Sequence, residues 1–264
     1  MAPFKSSKGR NLGKLLGGYK SSDIGKGFGS GGGGGFAASG GTKTQPGDGY
    51  IYHTYDTVGT FDFFAVGGTK QMEVELLAGG GGGSSGYQAW AGGGGGGGYA
   101  HFSRTTNPGP YSIVVGAGGA RNSNCGSGGG QPNGSPGYNG ADSTAFGATA
   151  NGGSGGANAG SSGGGGGGYS IPGVAGQTLV TSGNGQNGNN TSNDGSGWGG
   201  ENGKRNTTPS WTAWGDGAAG VPNSTPGNDA TGYGNGGGGG HSCQAPHNGG
   251  GTGSPGIVII KYEE

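Results

Sequence analysis

The sequence predicts a mostly irregular and β protein: a small antiparallel β unit followed by a bundle of polyglycine-II-type helices, with little or no α-helix. Of 264 residues, 81 are glycine and only 27% are hydrophobic. Ordinary domains contain about 45–50% apolar residues, so a conventional core is out of reach. The zero net charge and the 4 Trp, 11 Tyr and 8 Phe residues argue against the disorder that glycine enrichment otherwise suggests.

The chain divides into three predicted parts: a basic arm (1–41), the β unit (42–78) and the glycine-rich part with exposed loops and a closing strand (79–264). Residues 1–26 contain six Lys or Arg residues and one acid, a net charge of +5 that the rest of the chain balances. Having no hydrophobic face, the arm is expected to order only against a partner. Six charges with no aromatic platform are weak evidence for nucleic acid, so no nucleic-acid partner is expected.

Strand signals concentrate in residues 42–78, where aromatic and β-branched residues alternate with polar ones. From Met72 onward, Met72, Val74 and Leu76 alternate with Glu73 and Glu75, which predicts one buried and one solvated face. Two later strands are predicted at Tyr111–Gly119 and Ser254–Tyr262. The second of these closes the chain, and its hydrophobic run favours burial on both faces.

Glycine runs such as Gly79–Gly83, Gly92–Gly98 and Gly236–Gly240 are predicted to pack side by side. An extended helix with three residues per turn has no internal hydrogen bonds, so its N–H and C=O groups must bond to neighbouring segments. Only residues without side chains allow that approach. The alternative is that the runs are flexible linkers, although linkers rarely have tryptophans and strand-forming segments between them.

Motifs that carry chemistry are weak. Residues 152–156 fit G-x-S-x-G but lack the flanking strand and helix of a nucleophile elbow. His241, Cys243 and His247 have the spacing H-x-C-x3-H, and Cys125 would complete a metal site, but an exposed polar loop explains them equally. The chain is therefore expected to be no enzyme and to hold no metal or other cofactor. Whether the two cysteines pair stays open.

Aromatic residues between the glycine runs form the candidate recognition surface, because Tyr and Trp give large contact area for little loss of conformational entropy. The alternative is that these rings cap the ends of the glycine bundle and shield its backbone from water. The candidate receptor-binding residues are Tyr87, Trp90, Tyr99, His101, Phe102, Trp198, Trp211, Trp214 and His241.

The order of motifs over about residues 50–262 resembles a glycine-rich domain common in phage tail-fibre proteins. The similarity lies in IYHTYDTVGTFDF (51–63), PGPYSIVVGAGGA (108–120) and the end from GYGNGGGGGHS to GIVIIKY (232–262). The start, MAPFKSSKGRNLGKLL, looks like the leader of several cyanophage virion structural proteins. Similar tip adhesins imply a sandwich of polyglycine-II-type helices whose loops contact bacterial outer-membrane receptors.

The resemblance implies a virion structural protein, located in a tail fibre or tail tip, that displays loops for host cell-surface recognition. Its implied partners are other phage virion proteins and a host outer-membrane protein or lipopolysaccharide, and a homo-oligomer is compatible with it. The arm would dock to the virion through Phe4, Lys5, Lys8, Arg10, Leu12, Lys14, Leu15 and Leu16.

Two alternatives accompany this interpretation. One is a purely structural virion component, such as a capsid decoration or tail-connector protein without a receptor. The other is a polysaccharide-degrading spike, which needs paired carboxylates in a groove. The 13 acidic residues are mostly isolated along the chain, and no such pair is evident from the sequence.

Overall fold

The computed structural model describes residues 35–85, 91–122, 135–157, 163–173, 176–189, 199–201, 203–204, 217–219, 226–240 and 249–264. Within these ranges the protein is mostly β and has no helix. The strands are β1 (Ala37–Ser39), β2 (Thr42–Thr44), β3 (Tyr50–Tyr55), β4 (Gly59–Val66), β5 (Lys70–Leu77), β6 (Tyr99–Thr106), β7 (Gly109–Val115), β8 (Ser143–Ala145), β9 (Ala148–Ala150), β10 (Tyr169–Ser170), β11 (Gln177–Gly183) and β12 (Ile257–Glu263).

These strands form two antiparallel six-stranded sheets. Sheet 1 has the order β1-β4-β7-β8-β9-β10, and sheet 2 has the order β11-β6-β5-β12-β3-β2. The closing strand β12 lies between β5 and β3 and pairs with both. Val258 and Ile260 of β12 are fully buried in the core, and Ile257 packs with Leu77 and Tyr99 on the other face. The predicted burial of the closing strand on both faces is confirmed for this part of it.

The two sheets pack face to face around one hydrophobic core, to which residues of both sheets contribute. Met72, Val74 and Leu76 of β5 are at most 1% exposed, while Glu73 and Glu75 lie on the opposite face. The alternation predicted for this strand is therefore confirmed. From sheet 1, the core receives Phe63 of β4 and Ile113 of β7, both fully buried.

The β part is larger than the predicted unit at residues 42–78. Strand β1, which falls in the range predicted for the arm, and strands β6 to β12 lie outside that range, and they complete both sheets. The physical reason is that strands β3 to β5 cannot cover their own apolar faces, so the chain must supply further strands from later segments. Strands β8 and β9 consist of small residues, Ser143–Ala145 and Ala148–Ala150, whose composition gave no strand signal.

The longer segments between strands, rich in glycine, form what we call the glycine layer: residues 78–85, 91–98, 116–122, 135–142, 151–157, 163–168, 184–189, 199–201, 203–204, 217–219, 226–240 and 249–256. No helical element is assigned to these residues, so the expected bundle of helices is not seen as such. They are instead joined by backbone hydrogen bonds between segments that are distant in sequence. Buried N–H and C=O groups must form hydrogen bonds. In this layer they do so between segments, without regular secondary structure.

The hydrogen bonds of residues 78–83 follow a regular order. Every third residue donates to the same neighbouring segment, and successive residues donate to three different segments in turn. The donor–acceptor distances are 2.8 to 3.1 Å. The N–H to O=C pairs are Ala78 to Gly98, Gly81 to Gly95, Gly79 to Ala141, Gly82 to Tyr138, Gly80 to Ser254, and Gly83 to Gly251.

Backbone packing in this layer is too tight for side chains at most glycines. A Cβ atom added to Gly164 would overlap the carbonyl oxygen of Ser154, and one added to Gly81 would overlap the same oxygen. At Gly165 the nearest atom is the Oγ of Ser154, 3.8 Å away, which is ordinary van der Waals contact. The requirement for glycine is therefore specific to position, even between adjacent residues of one run.

Candidate functional site

The end of the glycine layer remote from the sheets, here called the far end, brings many chain segments together. Ser84 donates its N–H to Gly92 at 3.0 Å, and Gly240 donates to Ser84 at 3.1 Å. Ser85 donates to Ser135, Gly93 to Asn189, Gly164 to Gly93, and Gly227 to Gly249. The described residues that flank segments 86–90, 123–134, 158–162, 190–198, 220–225 and 241–248 thus lie at this one end.

Most predicted receptor-binding residues lie outside the described residues. These are Tyr87, Trp90, Trp198, Trp211, Trp214 and His241. The same holds for the whole predicted docking set of the arm, from Phe4 to Leu16, and for Cys125, Cys243 and His247. In the sequence, Tyr87, Trp90, Trp198 and His241 belong to segments whose described flanks meet at the far end. Their assigned role stays a prediction.

Tyr99 and Phe102 are not in an exposed aromatic loop, and this expectation is wrong. The run Gly92–Gly98 leads directly into strand β6, where Tyr99 is 1% exposed and Phe102 is fully buried. Phe102 belongs to the core between the sheets, and Tyr99 packs with Leu77 and Ile257. His101 lies between them in the strand and points to the outer face of sheet 2, where it and Tyr99 border a cavity.

That cavity, here called the sheet groove, is a second candidate site. It has a volume of about 440 Å³ and crosses the outer face of sheet 2. Neighbouring strands bring their outward-facing residues into register there: Glu73 lies opposite Lys261, and Lys261 lies opposite Tyr52. The lining residues are Thr44, Pro46, Tyr52, Thr54, Glu73, Glu75, Tyr99, His101, Thr181, Lys204, Ile259 and Lys261.

Two carboxylates of strand β5 lie in the sheet groove, and each has a lysine partner. Glu73 Oε2 accepts hydrogen bonds from Lys261 Nζ at 2.8 Å and from His101 Nε2 at 3.2 Å. Partial burial opposes ionisation of Glu73, but the bonds and charges of Lys261 and His101 outweigh it, so the pKa of Glu73 lies below its usual value. Glu73 is therefore a permanently charged acceptor near neutral pH.

The second carboxylate, Glu75, joins sheet 2 to the glycine layer. Its Oε2 accepts hydrogen bonds from Lys204 Nζ and, at 3.1 Å, from the hydroxyl of Tyr99. Burial lowers the pKa of Lys204 although Glu75 opposes that shift. Burial also raises the pKa of Tyr99, and the charge of Glu75 adds to that effect. Tyr99 therefore keeps its proton and its hydrogen bond to Glu75.

Tyr52 forms one wall of the sheet groove. Its hydroxyl donates to Asp48 Oδ2 at 2.7 Å, and this hydrogen bond, with a smaller effect of burial, raises the pKa of Tyr52 to about 12. The bond fixes the ring next to Lys261, whose Nζ also lies 4.7 Å from the centroid of the Tyr50 ring. Aromatic and charged groups are thus held together at this wall.

From the sequence we expected no pair of carboxylates in a groove. The structure places Glu73 and Glu75 together in the sheet groove, so this expectation is wrong for these two residues. The signal was present, since alternation placed both on one face of β5, but their partners come from remote parts of the chain. A general acid needs a raised pKa at working pH. Glu73 has a lowered one, so the arrangement of Glu73 is suited to accepting hydrogen bonds.

Metal binding has no support among the described residues, which contain no group of three or more His, Cys, Asp or Glu side chains placed to hold an ion. In the same part of the chain, no helix is long and apolar enough to cross a membrane.

A family model described as a glycine-rich domain matches residues 56–263, which include strands β4 to β12 and the glycine layer. The chain belongs to the glycine-rich domain family. No curated protein matches it. The glycine-rich domain is thus the combination of strands and glycine segments described above, and both candidate sites are built largely from residues inside it.

Proposed function

We propose that this glycine-rich domain is a structural protein of a bacteriophage virion, a tail-fibre or tail-tip module that displays loops to the host cell surface. The observation that supports the proposal most is the convergence of chain segments at the far end. Described residues next to segments 86–90, 123–134, 158–162, 190–198, 220–225 and 241–248 lie there. A protein in which several connections are flanked by residues at one end of a scaffold is suited to presenting variable surface.

The scaffold itself is proposed to be a lattice of polyglycine-II-type segments. The supporting observation is that hydrogen bonds from residues 78–83 return to the same neighbour after every third residue. Three residues per turn is the repeat of this extended helix, whose N–H and C=O groups point sideways. Because a Cβ atom would overlap neighbouring backbone at positions such as Gly81 and Gly164, the lattice restricts sequence change at those positions.

The composition of the connections is consistent with recognition. Trp90 and Trp198 lie in segments whose flanks meet at the far end, between runs of glycine. Tryptophan and tyrosine are enriched where binding energy concentrates. An outer-membrane protein or lipopolysaccharide is the proposed partner, and the basic residues of the arm would attach the protein to the virion.

The proposal is tested by competition. The purified full-length protein is added to host cells before the phage, and adsorption of the phage is measured as a function of protein concentration. Saturable binding that blocks adsorption is the expected result. The double variant Trp90→Ala/Trp198→Ala should lose this effect, while Phe64→Ala, which removes an exposed ring of sheet 1, should retain it.

Two outcomes would contradict the proposal. Absence of binding to cells at micromolar concentration would favour a purely structural role, such as capsid decoration or a tail connector. Antibody labelling of the particle gives a separate readout, because labelling of the head lattice in place of the tail would support decoration.

A further inference from the structure

We propose that the sheet groove is a binding site for a short neutral glycan of one or two sugar units. The site lies on the outer face of sheet 2 and contains none of the connections at the far end. Its volume of about 440 Å³ falls within the range of roughly 300–1,000 Å³ typical of small-ligand sites. The inference does not depend on the proposed phage function.

The charge balance of the groove favours a neutral ligand. Glu73 is paired with Lys261, and Glu75 is paired with Lys204, so two negative and two positive groups cancel within the lining. An anionic ligand would have to displace a carboxylate from its lysine, and a cationic ligand would have to displace a lysine from its carboxylate. In either case one ion pair is broken for each one formed, so the number of ion pairs does not increase. A ligand with hydroxyl groups avoids this cost because it can bond to both kinds of group.

The groove also offers unused hydrogen-bonding atoms. The two hydrogen bonds of Glu73 and the two of Glu75 all go to Oε2, which leaves the Oε1 atoms without a partner among the described residues. The hydroxyls of Thr44, Thr54 and Thr181 likewise make no hydrogen bond within the described part of the chain. Charged acceptors bond more strongly to hydroxyl donors than neutral acceptors do. These atoms suit a ligand that carries several hydroxyls.

Apolar surface lies beside these polar atoms. Ile259 lies in register with both Glu75 and Thr54, and Tyr52 lies in register with Lys261 on the neighbouring strand. A sugar ring has one face of C–H groups and a rim of hydroxyls, so it requires this combination of an apolar patch and adjacent acceptors.

The groove is fixed before any ligand enters. Lys204 is held by Glu75, and its Nζ lies 5.2 Å from the centroid of the Tyr99 ring, while Tyr99 donates its hydroxyl to the same carboxylate. The side chain of Lys204 is only 4% exposed. Preorganised lining groups reduce the entropy lost on binding, so this network stabilises a site of defined shape.

The test is a titration of the full-length protein with four neutral disaccharides (maltose, lactose, mannobiose and N,N′-diacetylchitobiose) and with digalacturonic acid as the charged comparison. Binding is followed by calorimetry and by chemical shifts at concentrations up to about 20 mM. At least one neutral disaccharide is expected to bind saturably and more tightly than digalacturonic acid. Absence of saturable binding by all four neutral probes would overturn the proposal, as would preference for the charged one.

Two pairs of variants locate the site. Glu73→Gln removes the charged acceptor from a side chain that is 40% exposed, and Thr54→Val removes one hydroxyl with little change in shape. Each should weaken disaccharide binding by about tenfold while leaving the melting temperature nearly unchanged. The matched controls Asp62→Asn and Thr60→Val change exposed residues of sheet 1 and should bind as the natural protein does.

Unchanged affinity in both Glu73→Gln and Thr54→Val would place any observed binding elsewhere and overturn the assignment of the groove. Phage adsorption measured with the same variants keeps the two proposals apart. Loss of disaccharide binding with intact competition for adsorption supports the groove without involving the far end. Loss of competition in the tryptophan variants with intact disaccharide binding supports the reverse.

Discussion

Lys204 of the glycine layer donates a hydrogen bond to Glu75 of strand β5, although 129 positions separate the two residues. The side chains are 4% and 18% exposed, so the ion pair is largely removed from water. Tyr99 donates to the same carboxylate and completes the network. This contact joins the glycine layer to sheet 2 through one network of buried polar groups. Lys204 of the layer needs the carboxylate of Glu75, and Glu75 of the sheet needs the ammonium group of Lys204.

Replacement of Lys204 by methionine is therefore expected to destabilise the protein. The change leaves the carboxylate of Glu75 buried with Tyr99 as its remaining described donor, and loss of one partner of a buried ion pair costs about 3–5 kcal/mol. Urea unfolding followed by circular dichroism measures the change in the free energy of unfolding. The double variant Lys204→Met/Glu75→Gln should recover part of the loss, because no unpaired charge then remains. A double variant less stable than the single one would contradict this interpretation.

Gly164 and Gly165 provide a matched pair for the glycine layer. Gly164→Ala should destabilise the protein severely, since its Cβ would overlap the carbonyl oxygen of Ser154 and the backbone of two segments would have to separate. Gly165→Ala places its Cβ 3.8 Å from the Oγ of Ser154 and should change the free energy of unfolding by less than about 1 kcal/mol. Equal melting temperatures for the two variants would show that the layer is not packed as described.

Phe102 and Phe64 allow a buried aromatic residue of the core to be compared with an exposed one on the surface. Phe102 is fully buried between the sheets, so Phe102→Ala should cost about 3–5 kcal/mol. Phe64 lies on the outer face of β4 and is 46% exposed, so Phe64→Ala should cost much less. Thermal unfolding of both variants measures the difference. A Phe102→Ala protein that is as stable as the Phe64→Ala protein would return Phe102 to the set of recognition residues.

His53 is expected to make stability depend on pH. It is fully buried; its Nδ1 donates to the carbonyl of Gly40 at 2.6 Å and its Nε2 accepts from the hydroxyl of Tyr262 at 3.1 Å. Burial lowers the pKa of His53, and the bond to Gly40 opposes this only in part. As pH falls below about 6.5, the unfolded chain takes up the proton first. The free energy of unfolding should therefore decrease from pH 7.5 to pH 5.5.

The variant His53→Gln checks the source of this dependence. It should be less stable than the natural protein at pH 7.5, because it fills the buried site less well, but its free energy of unfolding should change less between the two pH values. Denaturant titrations at both pH values give the comparison. An unchanged slope with pH would assign the effect to other titrating groups.

Local pattern predicted the parts of the fold whose signal lies within a few residues. Met72, Val74 and Leu76 alternate with Glu73 and Glu75, so their division between two faces followed from the two-residue period of a strand. The apolar run of β12 predicted burial because a strand between two others has no solvated edge. The assignment to the glycine-rich domain family followed from the order of such segments.

Features that depend on distant partners escaped prediction. Phe102 follows a glycine run, and nothing near it in sequence indicates that strands β5 and β11 will pair on either side of β6. The groove around Glu73 and Glu75 requires Lys261 from the last strand and Lys204 from the glycine layer. The order of charges along the chain does not predict that these four residues lie close together, because the topology of the fold brings them there.

The position of β12 has a consequence for synthesis. Residues 257–263 are made after every other strand described, yet they fill the centre of sheet 2 between β3 and β5. Until they leave the ribosome, β3 and β5 both present an unpaired edge, which other chains can pair with. A chain that stops before residue 257 therefore lacks the middle of the sheet rather than its margin.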